Sequence, residues 1–241
     1  MPEVIMPGPE GRLEGRYHQA EDKNAPIAVV LHPHPLYGGT MNNKIVYNLY
    51  QSFARNGFSV LRFNFRGVGR SLGKFDDGIG EMSDAASALD WLQAQHPDAP
   101  QCWIAGFSFG AWIALQLLMR RPELIGMVGI SPPANMYDFG FLSPCPASAL
   151  ILQGDRDDIV QEQAVSQLIE KLEAQKGLEV EYDVIPGADH YYRNTMDTMV
   201  GKVDEYILRK SEEIKNRPRL RPDRKRRQIS DDALMAAIDE A

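Results

Sequence analysis

The 241-residue chain is poor in cysteine, in long apolar runs and in net positive charge, and each shortage excludes something. With two cysteines, Cys102 in an apolar run and Cys145 between prolines, free thiols are expected rather than a disulfide framework. No apolar run approaches the ~18 residues of a membrane span. The amino terminus, "MPEVIMPGPEGRLEG", has prolines and glutamates where a secretion signal would have a basic end and an apolar core. These absences predict a cytoplasmic protein with no membrane partner. The formal net charge is −7, unevenly placed. Residues 215–227, "KNRPRLRPDRKRR", carry eight Lys/Arg against one Asp, a net +7, which leaves −14 for the rest. An acidic body argues against nucleic acid as a partner. No internal repeat is present.

What is there is a regular alternation. Short β-branched runs at 27–32, 58–65, 102–107, 126–131, 148–154 and 178–185 are separated by helix-length segments near 41–56, 80–95, 109–121, 160–175 and 194–214. Near-continuous apolar strands between helices indicate a predominantly parallel sheet covered on both faces, and "GRLEGRYH" (11–18) adds an edge strand. The pattern predicts one α/β domain over 1–214. Residues 215–241 read as a basic, flexible tail ending in a short helix with Ser230 at its N-cap.

The most informative stretch is "CWIAGFSFGAWIALQ". Gly106-Phe107-Ser108-Phe109-Gly110 matches G-x-S-x-G between a strand and a helix, the context in which a nucleophilic serine stands exposed on a sharp turn. Small neighbours two residues away admit that turn, and the helix start offers the Phe109 N–H to a developing oxyanion. A serine hydroxyl needs a base, and the base a carboxylate. In chain order these should follow as Asp/Glu, then His. "LQGDRDDIV" offers Asp155, Asp157 and Asp158 after a strand, and "IPGADHYY" offers His190 after the next. Asp157, at the loop tip, is the preferred acid. Asp155 reads as a turn former, Asp158 as a helix cap and Asp189 as loop polarity.

Ser108, Asp157 and His190 resemble the triad of an α/β-hydrolase. More narrowly, "LHPHPLYGGTMNNK", "RFNFRGVGRS" and "GFSFGA" resemble small, capless bacterial hydrolases related to dienelactone hydrolase, over about residues 10–212. The resemblance implies seven or eight strands, no cap domain and no cofactor or metal. Dienelactone hydrolase has a cysteine nucleophile; Ser108 points instead to ordinary ester hydrolysis. A carboxylesterase acting on a small ester is therefore expected. A peptidase or amidase with the same triad, or a non-catalytic binding module, stands as the alternative.

His32 and His34 invite a metal reading, but no nearby Cys, Asp or Glu completes a ligand set. By position, this loop should supply the second oxyanion N–H. Pro33 and Pro35 have none to give, which leaves His34, Leu36 or Tyr37, with His34 preferred. His32 reads as a brace. Tyr37, Phe107, Met136 and Tyr137 are the candidate substrate pocket, with Phe139, Phe141 and Leu142 as further loop candidates. "RGVGRSLGKF" fails the spacing of a phosphate loop and reads as a turn beside the site. Whether a second copy of the chain is a partner is open from sequence.

Overall fold

A computed structural model describes residues 2–141, 147–174 and 179–216. Leu142, Cys145, the tail beyond residue 216 and its expected terminal helix lie outside these. The compact unit carrying the fold is Met1–Ser211.

Eight strands form one sheet: β1 (Glu3–Gly8), β2 (Gly11–His18), β3 (Ile27–Leu31), β4 (Ser59–Phe63), β5 (Cys102–Phe107), β6 (Leu124–Ile130), β7 (Ser148–Gly154) and β8 (Glu179–Ile185). Their order is β1-β2-β4-β3-β5-β6-β7-β8. The pairs β1–β2 and β2–β4 are antiparallel and the rest parallel. The helices are α1 (Lys44–Arg55), α2 (Ile79–Gln95), α3 (Phe109–Leu118), α4 (Glu162–Glu173) and α5 (Met196–Asn216). Among the described residues between β6 and β7 there is no helix or strand, and so no lid element among them.

Central strands are buried on both faces, as β3, β5 and β7 show along their whole lengths. Side chains alternate across the sheet. Ile104 joins Leu89 of α2, Ile113 of α3 and Leu168 of α4 in one core. Trp103 points to the other face, where its ring meets Phe53 of α1, Phe58 and Tyr206 of α5.

The chain runs from β3 outward to β4, then crosses back so that β5 pairs on the other side of β3. A crevice opens at the carboxyl ends of the strands at such a reversal, and ligands bind there. The loop after β3 carries His34 and the turn after β5 carries Ser108.

Candidate active site

Ser108 sits at φ 52° and ψ −120°, a left-handed conformation that costs an L-residue about 1–3 kcal/mol. Its N–H donates to Ile130 O of β6 (2.8 Å), and its carbonyl accepts from Ala111 N (2.8 Å). Neither flanking glycine could be larger. A Cβ on Gly106 would lie 2.3 Å from the Gly110 carbonyl, and one on Gly110 would lie 2.5 Å from Leu31 O and 2.7 Å from His32 O. The second approach also presses the start of α3 against the loop after β3, so that the rings of His34 and Phe109 lie 5.0 Å apart.

On the far side of Ser108, Asp157 is buried in the loop after β7. Its Oδ1 accepts from Ile159 N (2.9 Å) and Val160 N (2.7 Å). Its Oδ2 accepts from Gln153 Nε2 (3.0 Å) and His190 Nδ1 (2.7 Å). Burial alone would raise this carboxyl; the His190 ring, followed by the two amides, outweighs it and holds the group below the usual carboxylate range. With Nδ1 donating to Asp157, a neutral His190 keeps a free lone pair on Nε2. His190 and Ser108 line one cavity of about 360 Å³.

The other aspartates fall elsewhere. Asp155 is exposed and accepts from Gly187 N (2.6 Å), closing the turn that leads to His190. Asp158 does not cap a helix, contrary to expectation: α4 begins at Glu162 with Gln161 in the cap position, because Ile159 N and Val160 N are held by Asp157 and Val160 O by Gln153, which delays the helix. Asp189 accepts from Arg193 N and pairs with the Arg193 guanidinium (3.3 Å).

Two residues that sequence reasoning missed hold this side together. Gln153, wholly buried on β7, clamps Asp157 and also donates to Val160 O (2.7 Å). Tyr192, at φ 52°, hydrogen-bonds Ser131 Oγ (3.1 Å) and donates to Leu152 O (3.2 Å). It thereby hooks the His190 loop onto the ends of β6 and β7. A polar residue inside an apolar strand and a tyrosine two places after the histidine were the available signals.

The loop after β3 divides its amides clearly. Leu36 N donates to His34 Nδ1 (3.1 Å), and Tyr37 N donates to His34 O (3.2 Å) in a short 3-10 turn. Both are therefore engaged. The N–H groups of His34 and Phe109 have no hydrogen-bond partner among the described residues. Gly39 turns so tightly that a Cβ would fall 2.0 Å from Pro33 O.

His32 is fully buried, with both ring nitrogens engaged: Nδ1 is 2.6 Å from Pro33 O and Nε2 accepts from Phe65 N (3.0 Å). Protonating Nε2 would set two donors against each other. Burial pushes this imidazole down to about 4, the Pro33 carbonyl opposing it only in part. The unfolded chain therefore binds the proton first. The His32 contribution to stability is complete above pH ~6.5 and is lost as pH falls towards about 4, amounting to about 3 kcal/mol. Chemical denaturation at pH 7 and pH 4.5 should show this loss in the native chain and a much shallower one in His32→Asn. Equal slopes would remove His32 as the cause.

The candidate pocket residues Tyr37, Phe107, Met136 and Tyr137 all line the cavity, joined by Ile159 and Tyr191. Phe139 lines a different one, with Lys171 and Gln167. The "RGVGRS" turn braces the site from behind. Arg66 makes a buried bidentate pair with Asp84 (3.0 and 2.8 Å), and Phe75 packs 4.7 Å from the His34 ring. Among the described residues, no group of three or more His, Cys, Asp or Glu is arranged to hold a metal ion, and no helix is long and apolar enough to cross a membrane.

Comparison with known proteins matches residues 12–238 to the family described as X-Pro dipeptidyl-peptidase (S15 family). A crystal structure from Agrobacterium tumefaciens, an α/β-hydrolase candidate of unknown function, is 55% identical, covers 88% of this chain and 97% of its own, and superposes with a TM-score of 0.85. A lidless α/β serine hydrolase from Xanthomonas campestris is 34% identical over 86% of this chain and 94% of its own, with a TM-score of 0.77. The lysophosphatidylserine lipase ABHD12 of Rattus norvegicus is 31% identical over 123 residues, 51% of this chain and 30% of the lipase. The chain belongs to the S15 family, described as X-Pro dipeptidyl-peptidase, and with it to the α/β serine hydrolases.

Proposed function

We propose that the chain is a carboxylesterase acting on small esters through Ser108, His190 and Asp157. The observation that carries this reading is the arrangement around one open cavity. Ser108 and His190 line it, Asp157 holds His190 Nδ1 at 2.7 Å, and the His34 and Phe109 amides flank it with no partner of their own. In the proposed reaction His190 Nε2 takes the Ser108 proton as Oγ attacks the ester carbonyl. The carbonyl oxygen becomes an oxyanion between the two amides, which are fixed before charge develops and so need little reorganisation. His190 returns the proton to the departing alcohol. Water, deprotonated by His190, then cleaves the acyl-enzyme to give the acid and free Ser108. Asp157 stays ionised throughout and stabilises the imidazolium.

The S15 match favours a second reading, cleavage of a dipeptide from a free amino terminus. Such a substrate carries an ammonium group that needs an anionic anchor, and no Asp or Glu is among the described residues lining the cavity. The kinship with a lysophosphatidylserine lipase in turn supports ester chemistry. 4-Nitrophenyl butyrate and an alanyl-prolyl 4-nitroanilide decide between them. The ester should be turned over and the anilide remain at background; a kcat/KM for the anilide equal to or above that of the ester would establish the peptidase instead.

A further inference from the structure

The walls of the cavity differ in a way that bears on the acyl group, given the esterase reading above. The leaving oxygen must face His190, because His190 returns its proton. The alcohol half therefore passes along His190 and Tyr191, which pack with the wholly buried Phe107: the Phe107 and Tyr191 ring centroids lie 5.0 and 5.3 Å from the imidazole. The acyl half is then left the rest of the lining, which includes His34, Tyr37 and Tyr137. These residues present a series of rings joined through the buried Phe109: Tyr37 to His34 at 4.6 Å, His34 to Phe109 at 5.0 Å, and Phe109 to Tyr137 at 5.8 Å.

The series is held in place from outside the cavity. Trp112 stacks on Tyr137 at 4.4 Å and 29°, and its indole N–H donates to Asp138 O (3.0 Å). Phe75 backs His34. The outermost ring, Tyr37, is 87% exposed and among the described residues touches no ring but His34, so its face is open to whatever enters. Alkyl surface is scarce, since Ile159 is the one branched aliphatic side chain among the described lining residues, and no Lys or Arg is among them.

From this we infer that the acyl pocket selects an uncharged, flat aromatic group: the substrates are esters of arylalkanoic acids rather than of alkyl or anionic ones. A pre-positioned ring surface adds offset-stacked or edge-to-face attraction, worth about 0.5–1.5 kcal/mol per ring pair beyond the area buried. A saturated ring of equal carbon count gains only the area. Met136, at 54% exposure beside the opening, adds a polarisable thioether of the kind that packs against ring edges.

The test compares methyl 3-phenylpropanoate with methyl 3-cyclohexylpropanoate on the full chain. Apolar burial alone favours the more hydrophobic cyclohexyl ester; ring recognition favours the phenyl ester, by about tenfold in kcat/KM, equivalent to about 1.4 kcal/mol. Tyr37→Leu and Tyr137→Leu should each bring the ratio towards one. Because both esters are read on the same preparation, any loss of folded protein cancels from the ratio. A native ratio at or below one, or a high ratio unchanged in both variants, overturns the inference while leaving the esterase reading intact. Hydrolysis of neither ester by a chain that turns over 4-nitrophenyl butyrate also overturns the inference; loss of the butyrate activity as well rejects the esterase reading itself.

Discussion

Ser108→Ala is expected to abolish ester turnover, lowering kcat by about 10⁵-fold or more, with the fold intact. The expectation of an intact fold is specific to this turn. Ser108 is held by its backbone, the N–H on Ile130 O and the carbonyl on Ala111 N, and alanine keeps both. The strain at φ 52° belongs to any residue with a Cβ, so alanine neither relieves nor worsens it. What disappears is Oγ alone. Circular dichroism and the thermal midpoint should match the native chain while hydrolysis of 4-nitrophenyl butyrate falls to background. Activity within tenfold of native would mean that another group attacks the ester.

Asp157→Asn is expected to cost about 10⁴-fold in kcat, and Asp155→Asn less than about tenfold. All the acceptor capacity of the Asp157 carboxylate is committed: two amides on Oδ1, and Gln153 and His190 on Oδ2. Asparagine has one acceptor oxygen and one NH₂. If its oxygen stays with the amides of Ile159 and Val160, its NH₂ confronts two donors. The Gln153 amide can rotate away, but His190 Nδ1 can comply only by giving up its proton. The ring then carries hydrogen on Nε2 and has no lone pair for Ser108. A stability loss of about 1–3 kcal/mol should accompany this, because buried donors lose their acceptor. Asp155 is exposed and makes one bond, to Gly187 N, which an asparagine oxygen also accepts. A larger loss in Asp155→Asn than in Asp157→Asn would move the acid to Asp155.

Much of the fold is legible in the chain because its determinants are local. The apolar runs at β5 and β7 need burial on both faces, and their bounds coincide with the runs themselves. The serine turn is legible in part for the same reason, since Gly106 answers to a clash with Gly110 four residues on, whereas Gly110 answers to Leu31 and His32 of a distant loop. β1 escapes a pattern reading because Pro7 interrupts "EVIMPG". Proline removes a ladder donor, yet an edge strand paired only with β2 accommodates it. The partners of the site are less legible, because they are set by which loops the sheet order brings together. Three aspartates within four residues look alike in sequence, and only the turn that brings Asp157 onto Gln153, Val160 and His190 buries it and leaves Asp155 and Asp158 exposed. Gln153 reads as a misplaced polar residue until Asp157 folds over it. His32 and His34 look like a pair, but one is sealed in the core as a neutral brace and the other spends Nδ1 on Leu36 N. Their loop leaves the His34 N–H without a partner among the described residues, and no pattern of side chains announces that.

The central claim is that Ser108 is the nucleophile of this site, and covalent trapping reads it directly. The full chain is incubated with a fluorophosphonate, digested, and the modified peptide identified by mass spectrometry. The account predicts a single phosphonyl adduct on Ser108, absent when the chain is heat-denatured before labelling and absent in Ser108→Ala. A native, folded chain that takes up no label, or takes it up on a different residue, would contradict it.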